Sequence, residues 1–150
     1  MVFGTSSGHI VLADRDFHVS ERKYKVFKGE IKGIVLLVDP SNSNKQYVFA
    51  IGDDSNRIDV PEDQVGYVPS TYFIKVFNLS DMSKPLHTIN ATVSDAGLTS
   101  FAVCQDGTSI AVGYSTGQIL LFNGIFFYDS SQCRRIAPPT VILSQMNMNI

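Results

Sequence analysis

No stretch of this 150-residue chain holds 18 or more apolar residues in a row, so none reads as a membrane-crossing helix. The N-terminus, "MVFGTSSGHIVLADRDF", has neither a basic leader nor a long apolar core and does not read as a secretory signal. Cysteine is scarce. Cys104 and Cys133 stand far apart with no C-x-x-C partner, whereas a zinc site needs about four closely spaced ligands. Net charge is small, at −2, which gives no long-range pull toward nucleic acid or anionic lipid. Neither metal nor cofactor is expected, and a reducing compartment fits the cysteine usage. Cys104, in the apolar run "LTSFAVCQD", is expected to be a buried small hydrophobe. The sequons at Asn78 and Asn90 read as chance matches.

What is present is an ordinary globular composition, 44% hydrophobic and 17% charged with a mean hydropathy of +0.08, at a length that suits one domain. It also holds a repeated phrase. "GTSSGHIVLAD" (Gly4–Asp14) returns as "GYSTGQILLFN" (Gly113–Asn123). A third copy aligns when Gly4, Gly52 and Gly113 are set together, each after an apolar pair. Ile10, Ile74 and Ile119 then open the apolar runs that follow. The middle copy carries a 16-residue insertion within about 53–72, and without it the glycine-to-glycine steps are 48 and 45.

A period in the forties built from short strands points to a WD40-type propeller with four strands per unit. Each unit reads as strand, strand, turn, strand, turn, strand. In the last unit these are "PLHTIN", "LTSFAVCQ", a hairpin at Asp106-Gly107, "SIAVGY" and "QILLFN". The preceding unit opens on "YKVFKG" and continues with "IKGIVLLVD", whose unbroken apolar stretch suits a strand covered on both faces. The reading is all-β: a WD40-like β-propeller fragment of about two and a half four-stranded blades over 1–124. Residues 125–150 are expected to form a divergent, poorly ordered tail. Fewer units than close a propeller, and a strand that starts at residue one, make the chain read as a fragment of a longer protein.

The ordered motifs carry a family resemblance. They are Gly4, Gly8 and Ile10; then Gly52 and Asp54; then Ile74, Lys75, Val76, Phe77 and Leu79; then Ala111, Val112, Gly113, Gly117, Ile119 and Leu121. In this order, with the insertion in the second unit, they resemble the N-terminal propeller of the vacuolar protein sorting-associated protein 11 family across about 2–124. The resemblance implies a non-enzymatic scaffold of the HOPS and CORVET tethering complexes. It would be peripheral on late endosomes and lysosomes or vacuoles, and its partners would be the other subunits. Family members carry an α-solenoid and a RING finger after the propeller. This chain has neither, so no zinc or ubiquitin-ligase role carries over.

Sharper chemical readings fail on spacing. "GTSSG" and "GYSTG" lack the lysine and the following helix of a phosphate loop, so Gly4, Gly8, Gly52, Gly107, Gly113 and Gly117 read as turn glycines. His9, His18 and His87 share no metal-ligand spacing, and no G-x-S-x-G elbow presents a serine nucleophile. The insertion, with Asp53, Asp54, Asp59, Glu62 and Asp63, lacks calcium-loop spacing and reads as a solvated or partner-binding loop. The basic stretch Arg22, Lys23, Lys25, Lys28 and Lys32 reads as edge protection, or as a contact for a membrane surface or acidic partner. Strand alternation would put Lys23 and Lys25 on one face, with Tyr24 and Val26 on the other. The competing functional reading is a peptide- or modification-reading propeller unrelated to tethering.

Overall fold

The computed structural model describes residues 1–14, 16, 19–55, 70–94, 96–128 and 140–142, and every regular element among them is a strand. The elements are β1 (Val2–Gly4), β2 (His9–Ala13), β3 (Val19–Lys25), β4 (Ile31–Asp39), β5 (Asn42–Asp53) and β6 (Tyr72–Asn78). They continue with β7 (His87–Asn90), β8 (Leu98–Val103), β9 (Ser109–Tyr114), β10 (Ile119–Asn123) and β11 (Thr140–Ile142). They form three antiparallel sheets, β1-β2-β3, β4-β5-β6-β7 and β8-β9-β10-β11, in which each strand pairs with its neighbours in sequence.

The middle sheet is apolar on both faces. Along β5, Tyr47, Phe49 and Ile51 join a core shared with Ile110, Val112, Leu120 and Phe122 of the last sheet. The intervening Val48 and Ala50 join a second core with Ile10, Val26, Phe27 and Ile31. β4 divides in the same way, Val35 and Leu37 to one side and Ile34 and Leu36 to the other. Within the unbroken "GIVLLV", Ile34–Leu37 are therefore partly covered on both faces, because period-2 alternation sends successive side chains into two separate cores, while Val38 is 45% exposed. Burying one such large side chain stabilises by about 1.5–3 kcal/mol.

The sheets are out of step with the sequence units by one strand. The first two residues of "YKVFKG" end β3 and the last four of "PLHTIN" form β7; both segments were expected to open units, yet β3 and β7 pair with β2 and β6 and close the preceding sheets. The first sheet thus has three strands where two were expected. The register also shifts the middle copy. Gly4 faces Ile10 and Gly113 faces Ile119, but Gly52 faces Phe73, so Phe73 rather than Ile74 is the paired counterpart.

Beyond Asn123 the chain returns to the core. Phe126 and Phe127 are buried: Phe127 stacks on Tyr47 with ring centroids 4.4 Å apart, and Phe126 meets Phe49 edge-on at 6.2 Å. Thr140–Ile142 pairs with β10 as the fourth strand of the last sheet.

Candidate functional site

Two kinds of glycine were read as one. Gly8 and Gly117, both at φ +84°, close matching four-residue turns: Gly8 N–H donates to Thr5 C=O (3.2 Å), and Gly117 N–H to Tyr114 C=O (2.9 Å). Side chains lock the first turn. Thr5 Oγ1 accepts the His9 N–H (2.9 Å) and lies 3.0 Å from Ser7 Oγ, which in turn lies 2.9 Å from His9 Nδ1. Gly107, at φ +70°, closes the turn from Cys104 to Gly107, so Gln105 and Asp106 are its central residues. Gly4, Gly52 and Gly113 turn nothing, since they lie inside β1, β5 and β9. Their small size admits a neighbour. A Cβ on Gly4 would sit 2.6 Å from Ile31 Cγ2, and one on Gly52 would sit 2.7 Å from the Phe27 ring.

Cys104 is exposed rather than buried. β8 ends at Val103, and Cys104 opens the hairpin turn, where strand alternation no longer applies. The sequon side chains also have local work. Asn78 Oδ1 accepts Ser80 N–H (3.0 Å) and Asn90 Oδ1 accepts Thr92 N–H (2.9 Å), the two-residue reach that suits Asn-x-Ser/Thr to turns.

The acidic candidates separate. Asp53 ends β5 opposite Tyr72, so both residues belong to the ladder rather than to the insertion. Its Oδ1 accepts N–H groups from Ser55 (2.9 Å) and Thr71 (3.3 Å), tying the two ends of the connection together. Asp54 turns inward. Its Oδ1 accepts the Lys28 N–H (2.9 Å) and its Oδ2 pairs with Lys75 Nζ (3.1 Å). Lys75 Nζ also donates to Val26 C=O (2.6 Å) and lies 4.7 Å from the centre of the Phe27 ring. This lock ties Val26, Phe27 and Lys28 of the β3–β4 connection to Lys75 of β6 and to Asp54, just beyond β5. Neither aspartate is left free as a loop ligand. Asp59, Glu62 and Asp63 lie outside the described residues.

The basic candidates separate too. Lys23 faces Val11 and Lys25 faces His9 across the β2–β3 ladder, while Tyr24, opposite Ile10, packs on the core with Val26. The alternation expected of this strand is therefore present. Phe3, 41% exposed, stands opposite Val11 on β1, so the outer face of the first sheet carries Phe3, His9, Val11, Lys23 and Lys25. Partial burial, followed by the charges of Lys23 and Lys25, lowers the His9 pKa. Lys25 Nζ donates to Ser7 C=O, so one of the two ammonium groups is tied to the neighbouring turn. Arg22 and Lys28 are exposed but lie apart from this face. Lys32 pairs with Glu30 (2.9 Å), and this hydrogen bond raises its pKa. The five cations thus form no single patch.

Reading the sequence missed His9 as a member of the basic face and Lys75 as the partner of Asp54. Strand parity could have placed His9 only once the β2–β3 register was known. Among the described residues, no group of three or more His, Cys, Asp or Glu could hold a metal. A shallow groove of about 460 Å³ lies where Leu36–Pro40 and Ser43 meet Gln105, with Asp39 its one charged lining residue. None of its residues forms a nucleophile–base pair. No helix among the described residues is long and apolar enough to cross a membrane. In comparison with known proteins, no family model and no curated sequence matches this chain.

Proposed function

We propose that this chain is part of a β-propeller that serves as a non-enzymatic interaction scaffold in a vesicle-tethering complex of the HOPS and CORVET kind. Such a scaffold acts at late endosomes and at lysosomes or vacuoles. One observation carries the propeller reading: the middle sheet is covered on both faces by sheets of the same sequential antiparallel order. A repeat architecture buries each unit against its neighbours in this way. The motif resemblance over about 2–124 supports the tethering assignment.

The mechanism is mechanical. Stacked sheets hold loops and outer faces in fixed relation, so that partner subunits meet a preformed surface. The first sheet's outer face, with Phe3 and Val11 beside Lys23 and Lys25, suits an acidic protein partner: apolar contact supplies the area and the cations set the orientation. The test is co-precipitation of the tagged chain with endogenous tethering subunits, together with its position on endosomal membranes. Tethering subunits are expected in the precipitate, with less recovered when Lys23→Glu and Lys25→Glu are combined. A folded chain that recovers none of them overturns the tethering role. Recovery unchanged by the double substitution removes this face from it.

A further inference from the structure

The hairpins β4–β5 and β8–β9 hold the same place in their sheets, each joining the first strand to the second. Early in β4 the two sheets touch: a Cβ on Gly33 would sit 2.8 Å from the Phe101 ring of β8. At the far end of β4 they leave the groove of about 460 Å³ between Leu36–Pro40, Ser43 and Gln105. That volume lies within the range of ordinary ligand sites, about 300–1,000 Å³. Leu36, Leu37, Val38 and Pro40 make its walls mainly apolar, and Val38 is open to solvent.

Asp39 is the charge in this groove, and it is only 8% exposed. Its Oδ1 accepts both the Ser41 hydroxyl (2.7 Å) and the Ser41 N–H (2.9 Å). The hydroxyl bond, then the N–H bond, hold the carboxyl below the usual carboxylate range, so it is ionised at neutral pH. They leave Oδ2 open: among the described residues no hydrogen bond or ion pair reaches it. Lys45 adds only a weaker attraction. Asp81 and Asp106 make the same pair of bonds, to Ser83 and Thr108, but both are exposed, where water satisfies the second oxygen. A carboxylate withdrawn from water with one oxygen open favours a cation that brings its own apolar cover.

We propose that this groove receives a lysine side chain from an extended segment of a partner protein, its ammonium on Asp39 and its stem along the apolar wall of Leu36, Val38 and Pro40. Lysine fits better than arginine, because a guanidinium fork matches two free carboxylate oxygens and Asp39 offers one. The four-carbon stem covers apolar surface while the charged head reaches the oxygen. Gln105, exposed on the opposite turn, offers its amide oxygen as a further acceptor. The groove is built by the middle and last sheets and shares no residue with the outer face of the first, so the proposal stands or fails separately from the tethering role.

The probe is an end-capped peptide with one central lysine between leucine and valine residues, titrated into the isotopically labelled chain. Saturable binding is expected, with amide shifts within Leu36–Ser43 and at Gln105. Acetylating the lysine should weaken binding by at least about tenfold, as the loss of a charged hydrogen bond implies. Exchanging it for arginine should weaken binding less. Asp39→Asn keeps an oxygen for Ser41, so the spectrum should otherwise hold while binding falls as far as it does on acetylation. Lys45→Gln removes the rival cation and should tighten binding. The proposal is overturned by absence of saturable binding, by equal binding of the acetylated peptide, or by an arginine peptide that binds as well as the lysine one. Shifts confined to the outer face of the first sheet, or weaker binding to Lys45→Gln, also overturn it. Self-association that Asp39→Asn abolishes would give the groove to a second copy of the chain and overturn it too.

Discussion

Lys75 and Asp54 form an ion pair (3.1 Å) whose side chains are only 15% and 21% exposed, and together with Lys28 N–H and Val26 C=O it fastens the β3–β4 connection to the middle sheet. The lysine sits on β6, its ammonium over the Phe27 ring and also bonded to Val26 C=O. Partly buried pairs of this kind are costly to break on one side, because the abandoned partner stays desolvated.

Lys75→Met, which keeps the stem, should therefore destabilise by about 1–3 kcal/mol in urea unfolding, and Asp54→Asn by a similar amount. The double variant should lose less than the sum of the two. Strict additivity would show that the two groups do not act on each other.

Gly8→Ala should be more damaging than Gly117→Ala. Both positions require φ +84°, a cost of about 1–2 kcal/mol for a residue with a Cβ. At Gly8 the added carbon also strikes the backbone carbonyl of Phe27. The Gly8 carbonyl accepts Val26 and Phe27 N–H (2.9 and 3.1 Å), so displacing it loosens the connection between two sheets. Equal melting temperatures for the two variants would contradict this account.

Phe126→Ala should cost about 3–5 kcal/mol, as for other fully buried aromatic truncations. The ring meets both Phe49 and His87 edge-on, at 6.2 and 5.9 Å. A loss below about 1 kcal/mol would mean that the segment after Asn123 is not part of the core.

Two pH responses follow. Burial pushes the Tyr114 hydroxyl, a donor to Ala91 C=O, up to about 12. The unfolded chain ionises this tyrosine first, so its stabilising contribution is whole below the ordinary tyrosine range and fades as pH climbs from there to about 12. Absorbance titration should show Tyr114 ionising near pH 12, while Tyr47, whose pKa burial also raises, ionises above the ordinary tyrosine range, and Tyr114→Phe should remove the step near 12. His9 behaves in the opposite sense. Its folded pKa is lowered, so the unfolded chain takes the proton first and stability drops as pH falls from the ordinary histidine range toward the folded value. In NMR titration, Lys23→Gln with Lys25→Gln should move His9 upward. No movement would remove the lysines as a cause.

Much of this architecture was legible from residue order. The spaced glycines, the two-faced run in β4 and the alternation of Lys23, Tyr24 and Lys25 each follow from a local period that a strand must obey. What lay hidden was pairing. Nothing within "PLHTIN" says that it bonds backward to β6 rather than forward to β8, because edge hydrogen bonds are common to all backbones. Asp54 looked like a loop acid because its lysine stands 21 residues away, across an insertion. Phe126 and Phe127 follow the last recognisable strand of the repeat, so no period marked them as core. Cys104 was misplaced because an apolar run does not announce where its strand stops.

The one-strand offset between sequence unit and sheet bears on how the chain emerges during synthesis. A sheet remains unfinished until the opening residues of the next unit have left the ribosome: β4, β5 and β6 must wait for His87–Asn90, although "FIKVFNLS" already ends their own unit. Vectorial folding therefore cannot proceed in whole repeats. Each newly made unit begins by finishing the one before it, and a translational pause at a unit boundary would leave an open strand edge exposed.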